Sequence, residues 1–121
     1  MSKKHFIIYD ASKAFARYIR LHFDDTYAFE VYHKHQYLYS KDEDIHYDIA
    51  FVYVNSNDDL YALLWVIGKA EKVIVGYSTP FFEFIIHRID GVERLNLLQI
   101  KRDLLDQFKQ LILSETKLLS I

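Results

Sequence analysis

Chemistry in this chain can start at only a few places, where polar side chains follow short apolar runs. Asp10, with Ala11 after it, closes "HFIIY"; Tyr53 ends the run "IAFVYV" together with Val54, and Asn55 follows; Ser78 and Thr79 come after "KVIVGY". A strand end of this kind often carries a reactive carboxylate, and at the second of these runs a tyrosine stands in its place. His33 and His35 in "HKH" put two imidazoles on one face of a strand, a pattern that can grip a metal, but no third ligand accompanies them and a surface-strand role is the simpler expectation. No Gly-rich phosphate loop, G-x-S-x-G elbow or pair of carboxylates at acid–base spacing is present, so nothing points to an enzyme, and no cofactor or metal is expected.

The elements that must position these residues can be read from periodicity. His5–Tyr9 and Ile49–Val54 lack in-out alternation, which suits central strands covered on both faces. Ser12 is a candidate cap for a first helix over residues 12–23, with Ala14, Phe15, Tyr18 and Ile19 at helical spacing. "YAFEVYH" alternates as an edge strand does. Residues 34–47 are polar and ambiguous, with room for about two helical turns. "NSNDD" then opens a helix carrying Leu60, Leu63, Leu64 and Ile67, and "KVIVGYS" is the next strand. Thr79 before Pro80 is a strong helix start, Gly91 is a stop, and the intervening helix is expected to reach about Ile89. A last strand near Val92–Leu98 leads into an amphipathic closing helix bearing Ile100, Leu104, Leu105, Phe108, Leu111 and Ile112. The alternation predicts an α/β fold: three layers, doubly wound, about five parallel strands with right-handed crossovers.

Composition sets the outer bounds. A length of 121 residues fits one domain spanning 1–121. Fifteen Lys and Arg against seventeen Asp and Glu give a net charge of -2, which offers no broad footprint for nucleic acid or an anionic membrane. Cysteine is absent, so disulfides and thiolate metal sites are excluded. No signal peptide or membrane span is evident, and a cytoplasmic location is the expectation.

In layout, spacing and length the chain resembles the receiver domain of response regulators in two-component systems, with its flavodoxin-like strand order 2-1-3-4-5. The carriers are "HFIIYDAS", "YDIAFVYV", "KVIVGYST" and the closing helix, and together they cover nearly the whole chain. The resemblance implies an aspartate at the end of the third strand that takes a phosphoryl group, a magnesium ion held by it and by an acidic pair after the first strand, a switch hydroxyl after the fourth and a lysine after the fifth. Here the acidic pair is halved to Asp10 and Ala11, and Asp10 has an ordinary use as a helix cap. Asp48 aligns with the family's "DlxxxD" phrase and places Tyr53 on the phosphoacceptor, where no acyl phosphate can form. Asn55, Asp58 and Asp59 lie too far into the turn to replace it. Ser78 or Thr79 fits the switch hydroxyl, Thr79 equally a cap, and no lysine appears at Leu97, Leu98 or Gln99, with Lys101 assigned to the last helix.

The expectation is therefore a degenerate, or pseudo, receiver that takes part in signal transduction by protein contact, outside the phosphorelay. The Tyr53 ring would fill the space of ion and phosphate, its hydroxyl bonding Asp10 or Ser78. "PFFEFIIHRI" is apolar on more than one side, and Phe81, Phe82, Phe84, Ile85 and Ile89 are the expected partner surface, in a homodimer or with another protein. The alternative is a flavodoxin-like sensor that binds a small molecule in a cleft lined by Tyr9, Tyr53, Tyr77 and Asn55.

Overall fold

The computed structural model describes residues 4–23, 25–40, 45–97, 106–107 and 109–112. Five strands, β1 (Lys4–Tyr9), β2 (Tyr27–Tyr32), β3 (Tyr47–Val54), β4 (Ala70–Tyr77) and β5 (Glu93–Asn96), form one sheet in the order β2-β1-β3-β4-β5. All pairings are parallel, and the crossovers carry α1 (Ala14–Phe23), a 3-10 helix (His35–Ser40), α2 (Asn57–Val66) and α3 (Pro80–Ile86). This is the parallel, helix-flanked sheet expected from the alternation of apolar runs and amphipathic stretches, in the flavodoxin-like strand order that the resemblance implies.

Because successive strand residues point to opposite faces, each central strand feeds two cores. Phe6, Ile8, Ile49, Phe51, Tyr53 and Ile74 pack with Ala16 and Ile19 of α1 and with Ile112. Ile7, Tyr9, Val52, Val54, Val75 and Tyr77 face α2, α3 and Leu38 of the 3-10 helix on the other side. Most of these side chains have no solvent exposure at all, and each contributes about 1.5–3 kcal/mol by burial. Two-sided covering is the reason these runs show no alternation in sequence.

Several boundaries differ from expectation, each for a local reason. The first helix starts at Ala14 rather than Ser12, because residues 10–13 form a turn closed by the Lys13 amide on the Asp10 carbonyl at 3.1 Å, with Lys13 at φ 69°. The helix after Thr79 stops at Ile86, short of Ile89. Arg94 of β5 donates to the carbonyls of Ile86, His87 and Ile89, which supplies partners for groups that a continued helix would have bonded itself. The last strand covers Glu93–Asn96 within the expected 92–98. Residues 34–47, where about two helical turns were expected, include the six-residue 3-10 helix His35–Ser40. The closing helix is present at residues 106–107 and 109–112, with Ile112 buried; the rest of that expected helix, including Ile100, Lys101, Leu104 and Leu105, lies outside the described residues. Lys72 on β4 is buried and its ammonium donates to the Leu111 carbonyl, tying the helix to the sheet.

Candidate functional site at the strand ends

Parallel strands end together at the carboxyl edge of the sheet, so the polar residues after β1, β3 and β4 are brought side by side by topology. Asp10 lies directly after β1 and is completely buried. One carboxylate oxygen, Oδ1, accepts from the amide and hydroxyl of Ser12 at 3.0 and 2.6 Å. The other, Oδ2, accepts from the amides of Phe15 and Ala16 at 2.7 and 3.1 Å. The carboxylate therefore satisfies first-turn amides that have no intrahelical partner, and its charge sits at the positive end of the α1 dipole. This is the capping role expected of Asp10; Ser12, the cap expected by residue type, instead donates to it. The Asp10 carbonyl accepts from His33, which fixes Nδ1 as the protonated ring nitrogen, at 2.8 Å.

Tyr53 occupies the end of β3 and is nearly buried, at 9% exposure. Its ring meets Phe15 of α1 edge-on at 5.1 Å between centroids, and its hydroxyl shares a 2.8 Å hydrogen bond with Ser78. Of the two partners expected for that hydroxyl, the structure brings Ser78 to it. Thr79 caps α3 by accepting from the Phe82 amide, which leaves Ser78 as the hydroxyl that faces the β3 end. Asp48, at the other end of the strand, accepts from the His5 amide at 2.7 Å and so aligns β1 on β3. Leu97 follows β5, donates its amide to the Tyr77 carbonyl at 2.7 Å and buries its side chain in the α1-side core. A methyl group stands where the resemblance asks for an ammonium; Leu98, Gln99 and Lys101 lie outside the described residues.

These residues do not fit a magnesium site. Both oxygens of Asp10 carry hydrogen bonds, Ala11 is a methyl group, and Tyr53 brings a neutral phenol already bonded to Ser78; the cation needs hard, charged oxygen ligands. His33 and His35 are past the end of β2 rather than on it. His35 stacks on Tyr61 at 5.7 Å and meets the Tyr39 hydroxyl at 3.1 Å, away from the Asp10 carbonyl that His33 engages.

The expected small-molecule cleft does not assemble. Tyr9 and Tyr77 belong to the α2/α3 side of the sheet and Tyr53 to the α1 side, because β1 residue Tyr9 pairs with Val52 and leaves Tyr53 one residue on, with opposite parity. Asn55 is exposed, and its amide donates to Asp59 at 2.8 Å. Sequence reasoning missed what Asp59 does. It is buried and hydrogen-bonded to the Tyr9 hydroxyl as well, so it locks β1 to the turn that starts α2. Burial first, then the Asp59 charge and this hydrogen bond, push the Tyr9 phenol well above its ordinary value. The signal was an aspartate three residues into a helix whose Ser56 cap makes no side-chain bond.

The expected partner surface is also divided. Phe81 and Phe84 are each 61% exposed. Phe82, however, is buried, and Ile85 and, past the helix end, Ile89 pack partly against the core, so these three turn inward. Arg88 lies over the Phe84 ring at 4.3 Å, which shields part of that face.

No protein-family model matches the chain, and no curated protein matches it. Among solved structures it is similar to one described as yeast Spc42 trimeric coiled-coil, amino acids 181–211, fused to a second protein. The TM-score is 0.64 at 16% identity, covering 98% of this chain and 83% of that one. A segment running only from 181 to 211 cannot account for a match over 98% of this chain, so the likeness lies in the fused protein, and it is a likeness of fold alone. Among the described residues no helix is long and apolar enough to cross a membrane.

Proposed function

We propose that the chain is a degenerate receiver-like module of two-component signal transduction, in the cytoplasm, that works by protein contact and does not cycle through an aspartyl phosphate. One observation carries this reading: Tyr53, at the strand end where the resemblance asks for a phosphoacceptor, is wedged between Phe15 and the Ser78 hydroxyl, while the neighbouring Asp10 is spent on the α1 cap. Phosphoryl transfer depends on positioning and on charges that stabilise the transferring group, and among the described residues Asp10, Tyr53 and Ser78 at the strand ends offer neither a free carboxylate nor an ammonium. Phe81 and Phe84 are the apolar groups available for a homodimer or a protein partner at α3.

The test is incubation with acetyl phosphate, and separately with beryllofluoride, in the presence of magnesium. Intact mass and amide spectra are expected to stay unchanged. A stoichiometric adduct at a strand-end carboxylate would overturn the reading.

A further inference from the structure

We propose that the groove between α1 and the edge strand β2 receives an extended acidic peptide segment of a partner protein, added as a sixth strand. This stands whether or not the strand-end cluster transfers phosphate, because it uses a different surface.

Lys13, Arg17 and Arg20 line one wall of a groove of about 490 Å³, and Val31 of β2 and His33 just past its end line the other. Arg17 and Arg20, three residues apart, share one face of α1, and Lys13 in the turn just before the helix lines the same groove. Among the described residues no carboxylate pairs with any of them. Two of them do not serve the helix itself: Lys13 and Arg17 stand at the α1 N-terminal end, where the dipole disfavours positive charge, and no acidic residue occupies the first turn, whereas Arg20 is in the last turn. In a chain of net charge -2, this is a local concentration of positive charge.

The other half of the argument is backbone. Among the described residues β2 pairs with β1 alone, so no further strand lies on its outer side. The two edges of the sheet are unlike. β5 is four residues long and carries Glu93 and Arg94, the short, charged form that discourages pairing; β2 is six residues long, has Glu30 as its one charged residue and contains no proline. An added strand would repeat side chains on the α1 side every second residue, about 6.7 Å apart. Two or three carboxylates at that spacing match the row of cations, while the intervening side chains leave from the opposite face of the sheet. A nucleic-acid strand could answer the charge but not the ladder of backbone donors and acceptors, so the edge favours a peptide.

The probe is the peptide acetyl-(Glu-Val)4-amide, titrated against the full chain and followed by amide chemical shifts. Shifts are expected to concentrate in β2 and α1. The exposed double variant Arg17→Glu/Arg20→Glu, checked for unchanged circular dichroism, is expected to bind at least about tenfold more weakly. The same peptide methylated at alternate backbone nitrogens is expected to lose binding to a comparable degree. Absence of shifts at millimolar peptide, equal affinity of the double variant, or equal affinity of the methylated peptide or of an eight-residue oligothymidylate would each overturn the proposal.

Discussion

Replacing Asp10 by alanine tests the central geometric claim, that this carboxylate is a helix cap and not a vacant ligand. The side chain accepts from two amides of the first turn of α1, at Phe15 and Ala16, and from both groups of Ser12. Ser12 is exposed and its groups can turn to water, so little is lost there. The Ala16 amide is buried, the Phe15 amide partly so, and water cannot replace the carboxylate fully. Charge-assisted bonds of this kind are worth about 1.5–3 kcal/mol each, and removal of a good cap costs about 1–2 kcal/mol in total. With both amides orphaned in a completely buried site, the expected loss is about 3 kcal/mol, or roughly 12 °C in Tm for a chain of this size. Asp10→Asn, which keeps an acceptor oxygen but not the charge, should lose about half as much. Urea denaturation of the three proteins, with and without 10 mM magnesium (a concentration of roughly the order that saturates weak carboxylate sites), measures both quantities. A loss under about 1 kcal/mol for Asp10→Ala, or a magnesium-dependent gain in wild-type stability that Asp10→Asn abolishes, refutes the reasoning.

Three further outcomes follow from the packing. Gly76→Ala puts a Cβ 2.7 Å from Leu97 Cδ1 and 3.0 Å from the Phe51 ring; Phe51 is fully buried and cannot retreat, so a destabilisation of about 2 kcal/mol is expected in urea melts. Tyr53→Phe removes the hydroxyl shared with Ser78 and keeps the ring on Phe15, and is expected to cost only about 1 kcal/mol, whereas Tyr53→Ala, which empties the site, should cost about 3–5 kcal/mol. The Tyr9 phenol titrates above its ordinary value because of burial and Asp59, so it favours the folded state up to the unfolded value near pH 10 and loses that contribution as pH rises beyond it. In Tyr9→Phe the fall in stability between pH 9 and pH 11, followed by chemical denaturation, should be smaller than in wild type, although the variant starts lower for want of the Asp59 bond.

The sequence by itself determined the architecture. Apolar runs such as "HFIIY" and "IAFVYV" lack alternation because both faces of the central strands are covered, and the helical stretches between them supply crossovers; parallel pairing follows from those two facts, while the strand order came from the resemblance. It also placed Tyr53 and Ser78 at neighbouring strand ends and gave Asp10 its role as a cap. What it could not decide were choices between partners that are equivalent in chain order. Whether the Tyr53 hydroxyl meets Asp10 or Ser78, whether Tyr9 and Tyr77 share its cleft, and which apolar residues of α3 turn inward depend on strand parity and helix phase relative to the sheet. A side chain's residue type states what it can bond. Only the packed sheet fixes which face it leaves from, and burial then makes the remaining choice, since an unpaired polar group costs too much there to be left without the nearest partner.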